Sequence, residues 1–235
     1  MSNHSKHFCM TEATKLTYLQ GHPLFAHLNE SKLDILSALL KIKTFSKGDI
    51  CVYGDGAYHK ICLLFRGKIK VAASDEDGNE VVKDILTAPD IFGDLSLEGA
   101  PSRYEYAVSL AAGTIVGTFA IADFKKILED HPLMALSFVH TVNNKLKRLE
   151  DRHSDLVFRD AKYRLIRFIK NWAHSDGNRI GNKIILSNYL THSDIAGVIS
   201  TSRQSVNVLF NELRDAGLLY YNRKRIELND TGSWN

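Results

Sequence analysis

Cysteine is scarce and poorly placed for structural work. Cys9, Cys51 and Cys62 are odd in number, widely spaced and form no CxxC pair. This argues against a disulfide framework and against a cysteine-held metal site, fits a reducing cytoplasm, and leaves the three thiols as buried or idle groups. Long apolar runs are also missing. Residues 1–20 have no basic stretch followed by an apolar core, and the longest mild run, AAGTIVGTFAIA, is 12 residues long and broken by Gly and Thr. That is too short to span a bilayer, so a cytoplasmic chain without export signal or membrane anchor is expected. Paired histidines are absent where a barrel enzyme would need them. His59 is the only histidine in residues 45–125, so a cupin-type metalloenzyme lacks its HxH ligands, and neither a metal nor a catalytic residue is assigned.

What is present is enough for more than one compact domain: 235 residues, 44% hydrophobic and 24% charged. The net charge of +3 is unevenly spread. Residues 159–235 carry 12 Lys+Arg against 7 Asp+Glu, whereas residues 1–158 carry 18 against 20. A basic C-terminal third on a slightly acidic remainder points to a polyanionic partner for that third.

From about Phe45 to Phe119 the pattern alternates and turns often. In KGDICVYGDGAYHKICLLFRGKIKVAAS, Ile61, Leu63 and Phe65 share one parity, followed after Gly67 by Ile69 and Val71. Period-2 patterning with Gly-centred turns predicts antiparallel strands, with hairpins near Arg66-Gly67-Lys68 and at DEDGN, 75–79, and strands this short and frequent predict a jelly roll or barrel. Ahead of it, Leu33, Ile35, Leu36, Leu39 and Leu40 fall at helical spacing and predict a short packing helix. Between Asp130 and Phe158 the period changes: Ala135, Val139, Val142, Leu146, Leu149, His153 and Leu156 step by 4 and 3 in alternation. Such a heptad seam, in a helix opened by Pro132 and joining two regions of different composition, reads as a coiled-coil dimer interface.

Beyond it, Asp160 can cap a helix whose apolar face is Leu165, Phe168, Ile169 and Trp172, and SDGNRIGNKIILS reads as a loop and a hairpin turning at Gly181-Asn182. Thr191, with Asp194 three residues on, caps a helix buried through Ile195, Val198 and Ile199. Ser202 caps the next, in which Val206, Leu209, Phe210 and Leu213 form the packed face and Arg203, Gln204, Asn207, Val208, Asn211 and Arg214 the opposite one. Two short capped helices joined at Ile199-Ser200-Thr201 make a helix-turn-helix, whose second helix offers its first turn to the DNA major groove. Ala216-Gly217 stops that helix. LLYYNRKRIELND then reads as two strands around a basic tip, Asn222-Arg223-Lys224-Arg225, a wing suited to phosphate contact. Thr191, Ser202, Arg203, Gln204, Ser205, Asn207, Val208, Asn211, Arg223, Lys224 and Arg225 are therefore the candidate DNA-binding residues.

These stretches resemble the Crp/Fnr family of bacterial transcription regulators over almost the whole chain. FSKGDICVYGDGAYHKICLLFRGKIKV is similar to the family's early β-roll strands, IFGDLSL to its nucleotide-pocket turn, 131–158 to its dimer helix, and SDIAGVISTSRQSVNVLFNELRDAGLL to its helix-turn-helix. The resemblance implies an α+β fold: an N-terminal tail over 1–20, a cyclic-nucleotide-binding-like β-roll (jelly roll) over 21–130, a dimerisation helix over 131–158 and a winged helix-turn-helix DNA-binding domain over 159–235. It implies a homodimer on palindromic double-stranded DNA, with RNA polymerase as a further partner and no enzymatic activity.

The resemblance breaks in the effector pocket, whose candidate residues are Gly93, Asp94, Leu95, Ser96, Arg103, Tyr104 and Glu105. Members that bind cAMP carry a Glu for the ribose and an Arg-Ser or Arg-Thr pair for the cyclic phosphate. Here Asp94 stands at the Glu position and Tyr104 and Glu105 at the pair. A carboxylate facing a phosphate repels it and donates nothing, and Arg103 is one residue out of register, on the opposite strand face. Cyclic-nucleotide binding is therefore not expected, and an effector of other chemistry is left open. Iron–sulfur sensing would need an N-terminal cysteine cluster and only Cys9 is there, and nothing in the spacing of the ten histidines selects a haem ligand. In the recognition helix Arg203 keeps the family's arginine, but Gln204 and Val208 replace its Glu and second Arg, so the DNA half-site should differ from that of the best-known members.

Overall fold

The computed structural model describes residues 11–53, 60–77, 80–98 and 105–229. They fall into two units, 1–147 and 148–235.

The first unit opens with α1 (Glu12–Gln20), capped by the Thr11 hydroxyl, a single 3-10 turn (Pro23–Phe25) and α2 (Glu30–Leu39), capped by Asn29. Part of the tail expected over 1–20 is thus a helix, because Leu19 is buried and Leu16 packs beside it. Eight strands follow: β1 (Lys41–Phe45), β2 (Ile50–Tyr53), β3 (Lys60–Arg66), β4 (Lys68–Ser74), β5 (Glu80–Thr87), β6 (Asp90–Gly93), β7 (Glu105–Ser109) and β8 (Thr114–Ala120). They pair antiparallel in two four-stranded sheets, ordered β1-β8-β3-β6 and β2-β7-β4-β5, as in a jelly roll.

Strand β3 explains the two cores. Cys62 and Leu64 point between the sheets with Ile69, Phe92, Ala107 and Val116. Ile61 and Leu63, on the other parity, are covered by Leu19, Phe25, Leu36, Phe119 and Phe124 from the helical side. The hairpin expected at Arg66-Gly67-Lys68 does not form. β3 pairs with β8 and β6 while β4 pairs with β5 and β7, so the chain crosses between sheets at Gly67. Alternation fixes which way side chains point and says nothing about which strand is the neighbour. The turn demands glycine: its φ is +93, and a Cβ there would lie 2.5 Å from Thr114 Oγ1 and 2.9 Å from Thr114 Cα. The second expected hairpin does join β4 to β5, Ser74 opposite Glu80; residues 78–79 lie outside the described ones. On α2, Leu33 and Leu36 are buried as expected, as is Leu40 just past its end, but Ile35 is 65% exposed and Leu39 is exposed.

After α3 (Ile121–Asp130) comes the long α4 (Pro132–Phe158). Its N-terminal half buries Met134 and Phe138, with Val142 half-buried, on the core shared with α3. Lys145 is 2.7 Å from Asp90. Val139, Leu146, Leu149 and Leu156 of the expected seam are exposed, as are His153 and, outside the seam, Leu136. Val142 packs partly on the core of its own unit, and Ala135 is half-buried.

In the second unit α5 (Ala161–Asp176), capped by Asp160, buries Leu165, Ile169 and Trp172. β9 (Asn178–Ile180) and β10 (Lys183–Ser187) form the expected hairpin at Gly181-Asn182. Then come α6 (His192–Ile199), α7 (Arg203–Asp215), β11 (Leu219–Tyr221) and β12 (Arg225–Asn229), the strands in the order β11-β12-β10-β9.

Candidate nucleic-acid interface and effector pocket

The helix pair is built by its caps. At α6, Thr191 Oγ1 accepts from the Asp194 backbone N–H (3.1 Å) while the Asp194 carboxylate accepts from the Thr191 N–H (2.9 Å), a reciprocal box that satisfies donors with no helical partner. The helix stops at Ser200, whose φ of +53 is left-handed, and the Thr201 N–H returns to the Ala196 carbonyl at 3.0 Å. Two residues later Ser202 Oγ accepts from the Ser205 N–H (3.0 Å) and α7 begins. Val206, Phe210 and Leu213 are buried and Leu209 half-buried. The same packing turns Arg203, Gln204, Asn207 and Val208 outward, Val208 being 55% exposed.

Among the described residues Arg203, Gln204 and Asn207 make no side-chain hydrogen bond or ion pair. Asn211 differs: it is half-buried, and the Tyr221 hydroxyl donates to its Oδ1 at 3.2 Å, which ties the polar face of α7 to β11. The hydroxyls of Ser202 and Ser205 lie 2.9 Å apart, and Arg214 pairs with Asp215 at 3.0 Å.

At the wing tip Asn222 Oδ1 accepts from the N–H groups of Lys224 (2.8 Å) and Arg225 (3.0 Å), an Asx turn, and Asn188 Nδ2 donates to the Asn222 carbonyl at 2.8 Å. Arg223 and Lys224 are exposed and, among the described residues, have no ion pair. Arg225 has one: its guanidinium is 2.7 Å from Glu227, a buried residue that Lys183 also approaches to 3.2 Å. The tip therefore presents two uncommitted cations rather than three.

One residue at this surface escaped the sequence reading. His192, the first of α6, stacks on Phe210 (ring centroids 5.0 Å apart) and meets Tyr221 (5.7 Å), joining both helices to the wing. Burial, and then the Arg203 cation, hold its imidazole below the ordinary value. A position just after the cap gives no signal of this, because the partners are 18 and 29 residues away.

In the candidate effector pocket Gly93 has φ +93, and a Cβ there would sit 2.6 Å from the Lys60 carbonyl oxygen. The Asp94 carboxylate accepts from the Ser96 N–H (3.0 Å) and hydroxyl (2.5 Å), while Leu95 and Leu97 pack on the helix-side core. Asp94 thus closes its own turn through one carboxylate oxygen, Oδ1. Glu105 begins β7 and is ion-paired with Lys83 of β5. Next to it the Tyr106 hydroxyl donates to Glu80, which pairs with Lys70 at 2.9 Å. Arg103 and Tyr104 lie outside the described residues.

A jelly roll, a long helix and a winged helix-turn-helix in that order define a class of DNA-binding proteins, and comparison with known proteins narrows the class. Residues 163–232 match the model of the Crp-like helix-turn-helix domain. The chain is 28% identical over 207 residues to the global nitrogen regulator of Synechococcus elongatus, covering 86% of this chain and 90% of that protein. It is 22% identical to a CRP-like cAMP-activated global transcriptional regulator of Mycobacterium tuberculosis, covering 88% and 92%. Among solved structures, a mutant of CooA from Carboxydothermus hydrogenoformans superposes with a TM-score of 0.68 at 26% identity, covering 82% of this chain and 84% of the other. FixK2 from Bradyrhizobium japonicum shares the fold with a TM-score of 0.70 at 17% identity, covering 82% and 94%. Residues 163–232 thus carry a Crp-like helix-turn-helix domain, and over most of its length the chain is similar to DNA-binding transcription regulators of the Crp/Fnr type. Among the described residues no helix is long and apolar enough to cross a membrane.

Proposed function

We propose that the protein is a homodimeric, sequence-specific transcription regulator, that α7 is its recognition helix, and that a signal other than a cyclic nucleotide reaches it through the β-roll. The observation that carries this is the face of α7: Arg203, Gln204, Asn207 and Val208 stand exposed while the opposite face is buried. Arg203 can pair with guanine O6 and N7 and Gln204 with adenine N6 and N7, and Val208 can only meet a thymine methyl. Ser202, Ser205, Arg223 and Lys224 take phosphate; the Thr191 hydroxyl is spent on Asp194, and Arg225 contributes less because Glu227 holds it.

The dimer is supported by the exposed stripe Val139, Leu146, Leu149 and Leu156 on α4. Apolar residues repeating at this spacing need a partner, and a second copy supplies one by symmetry. Two recognition helices then address half-sites about 34 Å apart. The case against cyclic nucleotides rests on the Lys83–Glu105 pair, with Asp94 Oδ1 already engaged by Ser96. Such a phosphate would have to displace Glu105 from Lys83 or lie against its charge. By the family pattern the regulator works with RNA polymerase, in the cytoplasm, and catalyses nothing.

Selection of binding sites from random duplex DNA tests the reading. The expected product is a palindrome with guanine opposite Arg203 and A·T pairs beside it, bound with a steep salt dependence. Recovery of no site, or a flat salt dependence, would instead favour a winged helix that binds protein. Micromolar binding of cAMP or cGMP in calorimetry would overturn the effector assignment.

A further inference from the structure

Arg164 sits in the first turn of α5, where a cation gains nothing from its own helix, because the N-terminal end of a helix carries the positive dipole. It serves other helices. Its Nη1 donates to the Arg159 carbonyl at 2.6 Å, its Nε to the Ile199 carbonyl at 2.8 Å and its Nη2 to the Ser200 carbonyl at 3.2 Å. Arg159 directly follows α4 and its N–H closes on the Asp155 carbonyl at 3.0 Å. Ile199 and Ser200 are the end of α6 and the left-handed residue of the turn. One guanidinium thus joins the C-terminal ends of two helices, where carbonyls lack intrahelical donors.

A second guanidinium extends the contact. Arg152, on α4, donates to the Val198 carbonyl at 3.0 Å. Three successive carbonyls ahead of the recognition helix, Val198, Ile199 and Ser200, are therefore held by arginines from outside the helix-turn-helix. Arg167 of α5 closes the arrangement from the other side, 2.5 Å from Asp155 of α4. All of these residues belong to the second unit, so the last turns of α4 and the turn before α7 are joined by charged hydrogen bonds, the stronger kind.

We propose that Arg164, aided by Arg152, is a positioning residue for DNA recognition: it fixes the start of α7 to the end of the seam-bearing helix and thereby sets where each recognition helix lies in a dimer. This rests on α7 being the recognition helix. Arg164 then contributes to site selection without touching DNA. Lysine cannot substitute, since a single ammonium cannot span three carbonyls in the geometry of the planar fork.

The test uses fluorescence anisotropy on three duplexes: the palindrome that the wild-type protein selects, the same palindrome with one base pair inserted between half-sites, and an unrelated sequence. Arg164→Gln should bind the selected palindrome about tenfold more weakly. It should discriminate less against the inserted base pair, and keep the wild-type affinity and salt slope on unrelated DNA. Arg164→Lys should fail to restore the discrimination, and it carries the same test if Arg164→Gln does not fold. Wild-type spacing discrimination in Arg164→Lys, with affinity within twofold, overturns the proposal. So does a salt slope on unrelated DNA that falls by about one in Arg164→Gln, which would make Arg164 a phosphate contact. A wild-type protein without any preferred duplex would instead overturn the reading of α7 itself.

Discussion

Leu149→Ala isolates the seam. Leu149 is 59% exposed in the single chain, at the centre of the stripe formed with Leu146, Val139 and Leu156. Fully burying a leucine side chain is worth about 2 kcal/mol, so covering the exposed fraction contributes about 1.2 kcal/mol per protomer. Twofold symmetry counts that contact twice, and alanine keeps only the β-carbon, which puts the loss near 2 kcal/mol per dimer. The dimer dissociation constant should rise about 30-fold. Sedimentation equilibrium over a dilution series reads this directly. Ile35→Ala is the control: Ile35 is 65% exposed on α2 and is not part of the α4 stripe, so its removal should leave the constant unchanged. A Leu149→Ala protein that dimerises like wild type, or an Ile35→Ala protein that loses as much, would refute the assignment of the seam.

Four further outcomes follow from the same geometry. Arg203→Ala should cost about 1–3 kcal/mol on the selected site and relax one base position, while Lys224→Ala should weaken all sequences alike and lower the salt slope by about one; Arg225→Ala should change that slope less, being paired with Glu227, and titrations at two salt concentrations separate the three. Gly67→Ala combines positive φ with a clash at Thr114 and should cost about 3 kcal/mol, whereas Gly48→Ala, also at positive φ but with nothing within 4 Å, should cost about 1 kcal/mol; thermal melts would rank them. Burial is the main influence holding the His22 imidazole below its ordinary 6.5, against the raising effect of Asp90. The folded state therefore resists its protonation, and stability present above that pH should fall as the pH drops below about 6.5. His22→Asn, which can still accept from the Leu24 N–H, should flatten the decline in thermal midpoint from about pH 7 to 5. Cys51 and Cys62 are both pushed up to about 12 by burial, so alkylation near pH 8 should label neither until the protein is denatured, as peptide mass spectrometry would read.

The second unit was the more legible in sequence because its signals are local. A capping box needs only Thr191 and Asp194, a recognition face needs only the spacing of Val206, Phe210 and Leu213, and the hairpin at Gly181-Asn182 needs two residues. The β-roll obeys longer-range rules. Gly67 looked like a hairpin because a glycine between two apolar runs is common to hairpins and to crossings between sheets. What separates the two is Thr114, packed against Gly67 from 47 residues away. Likewise the exposure of Ile35 follows from which side of α2 meets the sheet, and the apolar spacing of that helix fits more than one face.

Helix α4 shows the limit of a periodic pattern. Ala135, Val139 and Val142 share a heptad register, yet Val139 is exposed while Ala135 is half-buried and Val142 packs partly on the core of Met134 and Phe138. Both stripes fit the sequence because a helix that lies on its own domain at one end and bears an exposed apolar stripe along another face carries two apolar faces, and they overlap in register. The side chains that decide between them are polar. Lys145, paired with Asp90 of β6, fixes the face turned to the β-roll, and Arg152, bound to the Val198 carbonyl, fixes the face turned to the helix-turn-helix. Within each unit the polar contact thus marks the inward face of α4 more sharply than the leucine spacing does.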